Sequence, residues 1–168
     1  VIHGKYWHEE TRATASQALN SGGGAYLVVL DRAEAETACD YIRHGGDASA
    51  FLKRFEHAVS PGFEPDVHLQ RVGCANQTTM LSSESLEIGE MFRQAIRDRY
   101  GEEALTSRFR AFDTICSATQ DRQDAVIALL DERPINLMVV IGGYNSSNTC
   151  NLARICSEKR PTYHIADA

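Results

Sequence analysis

Short β-branched runs alternate along the chain with stretches whose apolar residues recur every three or four positions. Ala25–Leu30, Arg71–Ala75, Phe109–Phe112, Leu137–Ile141 and Tyr163–Ile165 read as strands, and Val1–Gly4 as the end of another. Every residue of Leu137–Ile141 is apolar, the pattern of a strand buried on both faces of a parallel sheet. Helical periodicity covers 9–19, 33–43, 48–59, 83–100, 119–131 and 148–159. In the longest of these, Ile88, Phe92, Ala95 and Ile96 share a face while Glu87, Glu90, Arg93 and Arg97 point mostly elsewhere, and Gly101 supplies a stop. This alternation predicts an α/β fold of parallel-sheet layers with helices on both faces. Ser60–Asp66, with Pro61, Gly62 and Pro65, reads as a loop. Ser21–Gly24 reads as a flexible turn and lacks the Gly-Lys-Ser/Thr ending of a phosphate loop. A charged connection around 100–110 marks a boundary, with one α/β domain over 1–108 and the first part of another over 109–168.

Composition narrows the classes. Hydrophobic residues make up 43% of 168, enough for a sizeable core and too many for a disordered chain. Lys and Arg number 17 against 23 Asp and Glu, so the net charge of −6 offers no general attraction to nucleic acid or anionic lipid. No apolar run approaches the ~20 residues of a membrane span. The five cysteines, without a CxxC pair, read as reduced thiols in a reducing compartment. The chain opens without Met on a strand already under way and closes on one barely begun, which reads as a piece of a longer polypeptide.

Four polar clusters are expected just past a strand's carboxyl end, at or near the next helix start. They are His3…His8-Glu9-Glu10-Thr11, Asn76-Gln77-Thr78-Thr79, Cys116-Ser117-Ala118-Thr119 and Asn145-Ser146-Ser147-Asn148. Ligands of open parallel sheets bind at that edge, and helix amino termini add N–H donors suited to phosphate. Plain capping accounts for any one cluster; four together, with His and Cys among them, favour a phosphorylated ligand. Cys39, Cys74 and Cys156 read as small core hydrophobes. Cys116 precedes a helix, where a thiol suits metal ligation or nucleophilic attack, although a buried structural thiol fits the spacing equally. His8-Glu9-Glu10-Thr11-Arg12 lacks the second His of a zinc helix. His44, His57 and His68 read as surface residues.

In this order the clusters resemble one family, 4-hydroxy-3-methylbut-2-enyl diphosphate reductase, an iron–sulfur enzyme of isoprenoid synthesis. The segments that carry the likeness are Ile2–Thr11, Ala75–Met80, Thr114–Gln123 and Val140–Thr149. It looks most like the longer branch found in plastids and photosynthetic bacteria, given the insertion around His44–Asp66. The resemblance implies three similar α/β domains in a trefoil-like arrangement around a [4Fe-4S] cluster, with Cys116 as one of its three cysteine ligands. It further implies that His8 contacts the substrate diphosphate, Glu10 delivers a proton and Thr78 joins that hydroxyl network. Thr119 would line the site, while Ser146, Ser147 and Asn148 would hold the diphosphate. Ferredoxin or flavodoxin would supply electrons, a homodimer is compatible, and the location would be bacterial cytoplasm or plastid stroma. The remaining cluster cysteines are expected outside this stretch, leaving the chain inactive alone. Two other readings of the same clusters are a non-redox phosphate-binding α/β module and a structural domain with capped helices.

Overall fold

The computed structural model describes residues 1–20, 24–111 and 117–166. The chain divides into two compact units, Val1–Gln77 with Ser83–Thr114, and Thr78–Ser82 with Ile115–Ala168. The first holds β1 (Ile2–His3), α1 (Glu9–Asn20), β2 (Val28–Val29), α2 (Arg32–His44), α3 (Ala48–Arg54) and α4 (Pro65–His68). It continues through β3 (Val72–Asn76), α5 (Ser82–Tyr100), a 3-10 turn (Glu102–Ala104), α6 (Leu105–Arg108) and β4 (Phe109–Ala111). The first residue of α5, Ser82, groups with the second unit.

All four strands are parallel, in the order β2-β1-β3-β4. Ile2 lies beside Val28 and Ala75, and His3 beside Val29 and Asn76. The chain winds outward from β1 to β2, then reverses through β3 to β4. The reversal falls between β1 and β3, and the carboxyl ends of two such strands splay their loops apart to leave a crevice. Successive strand residues face opposite sides. Val29, Val72 and Cys74 join a core with Ala35, Cys39 and Ile42 of α2, Phe51 of α3, and Ile88, Phe92, Ala95 and Ile96 of α5. Ile2 and Val28 pack instead with Ala15 of α1. Burying each large apolar side chain contributes roughly 1.5–3 kcal/mol.

Helix boundaries follow local chemistry. Asp31 Oδ1 accepts from Glu34 N at 2.9 Å and opens α2, while Gly45, at φ 71°, ends it. The 48–59 periodicity is helical only to Arg54. Past that point the rings of Phe51, Phe55 and Phe63 pack together, and the chain turns back along the outer edge of β2. Val28 N donates to Ala58 O at 2.6 Å, and Ser60 N to Tyr26 O at 3.0 Å, so that edge is covered. The expected 60–66 loop is cut short because Pro65 starts α4, where its missing N–H is an orphan anyway. Phe109–Ala111, assigned from the sequence to the head of the second domain, pairs with Val72–Cys74 in the first unit's sheet.

The second unit contains Thr78–Ser82, α7 (Ser117–Glu132), β5 (Met138–Ile141), α8 (Ser147–Lys159) and β6 (Thr162–Ile165). β5 and β6 are parallel, with Met138 opposite Thr162 and Ile141 opposite Ile165. Met138 and Val140 pack with Val126 and Leu130 of α7 and with Ile155 and Cys156 of α8. The alternate residues Leu137, Val139 and Ile141 are 49%, 50% and 59% exposed, and Tyr163 is 64% exposed. The expectation that this strand is buried on both faces is therefore corrected, because both helices pack on the same face. The 168-residue chain should bind a hydrophobic dye through that open face. Val139→Thr with Ile141→Thr should cut the dye fluorescence and leave the melting temperature nearly unchanged; undiminished fluorescence would exclude this face as the dye site.

Candidate functional site

The loops that leave β1 and β3 at the reversal are locked together by one buried amide. Gln77 is 0% exposed, and its Oε1 accepts from Lys5 N at 3.1 Å and from Thr11 Oγ1 at 3.2 Å. Its backbone N donates to His3 O at 2.8 Å. Gly4 sits inside this knot, where a Cβ would lie 2.7 Å from Thr11 Oγ1 and 2.9 Å from Gln77 Cβ. Real Cβ atoms do not approach so closely, so the loop requires glycine there. His3 is buried, with Nδ1 2.8 Å from Ser85 Oγ, which ties the end of β1 to α5.

This knot sets where α1 begins, and hence where His8 and Glu10 stand. His8 N donates to Lys5 O at 2.9 Å, and His8 O accepts from Arg12 N at 3.0 Å. Glu10 N donates to His8 Nδ1 at 3.3 Å, so the imidazole does the capping usually done by Ser or Asp. With Nδ1 accepting, the ring hydrogen of the neutral imidazole sits on Nε2, which becomes a donor. Glu9 and Glu10 occupy the first turn, where the helix dipole favours carboxylates. Tyr6 and Trp7 precede them as an exposed edge-to-face pair. A cavity of about 170 Å³ opens beside the loop, lined by Gly4, Tyr6, Leu30, Glu34 and His57 among others. A larger one, about 250 Å³, lies among Val1, Tyr26, Arg71 and Gly73, and no candidate residue lines it.

In the second unit, Ser146 caps α8: its Oγ accepts from Thr149 N at 3.3 Å and from Thr149 Oγ1 at 3.0 Å. Its own hydroxyl hydrogen remains to donate. Ser147 is buried, and Asn148 Oδ1 accepts from Thr119 Oγ1 at 3.4 Å, which joins the starts of α8 and α7. Gly142 lets the end of β5 approach α8, since a Cβ there would lie 2.8 Å from Thr149 Oγ1. Thr78 opens the Thr78–Ser82 segment of this same unit. Within each unit, then, the structure joins predicted site residues: His8 with Glu10 in the first, and Thr119 with Asn148 in the second. Thr11 and Gln77 stood in the polar clusters without an assigned role, and Gly4 had none; together they hold the His8 turn. The signal was available in Gln77 itself, an amide placed directly after a strand.

Three of the four described thiols behave as core groups. Burial pushes the Cys39 thiol up to about 12 and that of Cys74 to about 11, and it raises Cys156 as well. Cys150 is partly exposed, and its Sγ donates to Tyr144 O at 3.1 Å. Cys116 lies outside the described residues. Among the described residues, no three His, Cys, Asp or Glu gather as a metal site would. His68, expected at the surface, is half-buried and accepts from Glu64 N at 2.8 Å through Nδ1.

A family model described as LytB protein matches residues 1–168. The 4-hydroxy-3-methylbut-2-enyl diphosphate reductase of Thermosynechococcus vestitus is 54% identical over 100% of this chain and 40% of its own length. That of a Synechococcus strain is 57% identical over 98% of this chain and 39% of its own. The chain thus spans about two-fifths of the length of these curated cyanobacterial relatives. A solved structure of (E)-4-hydroxy-3-methyl-but-2-enyl diphosphate reductase aligns with 80% of this chain and 51% of its own at 26% identity, with a TM-score of 0.34.

Two outcomes follow from this geometry. Gly4→Ala should destabilise the chain by about 1–3 kcal/mol through overpacking against Thr11 and Gln77, read as a lower denaturant midpoint. With Cys116→Ser in place, an aromatic disulfide reagent at pH 8 should titrate Cys150 readily, and Cys39, Cys74 and Cys156 only after unfolding. The raised thiols favour the protonated fold, so their contribution is complete below the ordinary thiol range and is lost as pH climbs from there to about 12.

Proposed function

The chain belongs to the LytB protein family, and we propose on that footing that it is part of a reductase acting on 4-hydroxy-3-methylbut-2-enyl diphosphate. The net reaction adds two electrons and two protons. The allylic C–O bond breaks, the hydroxyl leaves as water with one proton, and the other proton goes to carbon, giving isopentenyl or dimethylallyl diphosphate. The observation that carries this reading is the His8–Glu10 turn, fixed at the sheet's reversal by Gln77 and Gly4, in a chain more than half identical to named reductases.

Each residue has a chemical task in this reading. His8, its Nδ1 occupied by the helix amide, presents Nε2–H to a diphosphate oxygen. Glu10 holds the proton destined for carbon, and Thr78 relays through its hydroxyl. Ser146, Ser147 and Asn148, at the amino terminus of α8, hold the diphosphate, as hydroxyl, amide and backbone N–H donors there suit an anion. Thr119, hydrogen-bonded to Asn148, lines the site. Firm grip on the diphosphate fixes the reacting carbon.

The described residues do not compose a cluster site: three of their four cysteines are core groups with raised thiols. A [4Fe-4S] centre would take Cys116 and thiols from beyond this stretch. A one-electron donor of the ferredoxin or flavodoxin kind, a homodimer, and a home in bacterial cytoplasm or plastid stroma belong to the same proposal; cyanobacterial relatives support the setting. No helix among the described residues is long and apolar enough to cross a membrane.

The test is Glu10→Gln in the complete polypeptide. Substrate binding by calorimetry should persist while kcat falls by about 10²–10⁴, the range of a general acid. Undiminished turnover would remove Glu10 from the chemistry. Diphosphate binding with no turnover even by the unmodified complete polypeptide would favour the non-redox binding module.

A further inference from the structure

Thr78 lies in a stretch with no regular structure of its own, and within the second unit that stretch is gripped from two helices. Gln123 of α7 is 3% exposed, and both ends of its amide are used on the segment. Oε1 accepts from Ser82 N at 3.2 Å, and Nε2 donates to Met80 O at 3.3 Å. Asn151 of α8 donates from Nδ2 to Thr79 O at 2.9 Å. Leu81 packs against the core of Leu130, Ile155 and Cys156. Two consecutive backbone carbonyls before α5, those of Thr79 and Met80, and the first amide of α5 are therefore held by side chains 41 to 72 residues away in sequence.

The physical logic is specific. A buried amide costs free energy unless both donor and acceptor are matched, and here both are. Ser82 N is one of the amides that a helix start leaves without an intrahelical partner, so Gln123 caps α5 from outside it. Thr119 and Gln123 are four apart on α7 and share one buried face; Asn148 and Asn151 are three apart on α8. Thr119 bonds Asn148, and the next turn of each helix reaches the Thr78–Ser82 backbone. One polar seam thus joins the helix starts to the strap that carries Thr78.

We infer that Gln123, assisted by Asn151, is a positioning residue that fixes the place of the Thr78 hydroxyl; this rests on the reading of Thr78 given above. An apolar side chain of similar size at 123 would leave Ser82 N–H and Met80 C=O buried and unmatched, and the strap would shift. Displacement of a reacting group by about 1 Å costs up to ~100-fold in rate.

The experiment uses the complete polypeptide with Gln123→Met, Gln123→Glu, Thr78→Val and the Gln123→Met/Thr78→Val pair. Gln123→Met should lower kcat about tenfold, move KM much less, and speed amide exchange across 79–82. Gln123→Glu keeps the acceptor for Ser82 N–H and should recover part of kcat; it also serves if the methionine variant does not fold. Once Thr78 lacks its hydroxyl its placement no longer matters, so the double variant should be no slower than Thr78→Val alone. Multiplying losses, or a lower melting temperature with kcat intact, would overturn the inference, as would unchanged exchange across 79–82. A silent Thr78→Val would overturn the catalytic reading of Thr78 itself, separately from the clamp, which the exchange measurement decides.

Discussion

A single carboxamide oxygen holds the first unit's working edge together. Gln77 Oε1 accepts from a backbone amide on one loop and a hydroxyl on the first helix, and Gly4 leaves just enough room for both. A buried acceptor with two donors in hand costs little to bury, whereas one left unmatched costs about 1–3 kcal/mol. That asymmetry makes the loop geometry nearly obligatory. From it follow the start of α1, the capping role of His8 and the position of Glu10 in the first turn.

The two units use one device in different hands. In each, a side-chain amide satisfies backbone groups where an irregular stretch meets a helix: Gln77 at the turn into α1, Gln123 at the entry to α5. Glutamine suits this because it donates and accepts at the end of a reach long enough to span a gap. Thr78, whose hydroxyl has a proposed role, lies beside one of these amides rather than doing the holding itself. Thr119 and Ser146 do hold: Thr119 donates to Asn148 Oδ1, and Ser146 caps α8 and keeps a hydrogen to give.

Much of the architecture was legible from periodicity. The 83–100 helix, its apolar face through Ile88, Phe92 and Ile96, and the alternation of strands with helices all read directly, because apolar spacing encodes a buried face whatever the partner. The end of α3 at Arg54 did not, since Phe55 continues a helical pattern while its ring is claimed by tertiary packing with Phe51. Nor did the open side of β5: an all-apolar strand announces two apolar faces and says nothing of what covers them. For the site, residue types at strand ends marked the His8, Glu10 and Ser146 positions. Of the supports, Gln77 was signalled by its place directly after a strand, whereas the holding roles of Gly4, Thr11 and Gln123 were not legible, because their partners are distant in sequence.

The excursion after α2 touches more than the sheet edge it shields. Its Ala58–Ser60 stretch runs along β2, and just before it the His57 ring lies tilted, 6.1 Å from the ring of Tyr6, on the same short turn as His8. That ring contact is where the excursion meets the turn that carries His8 two residues further on.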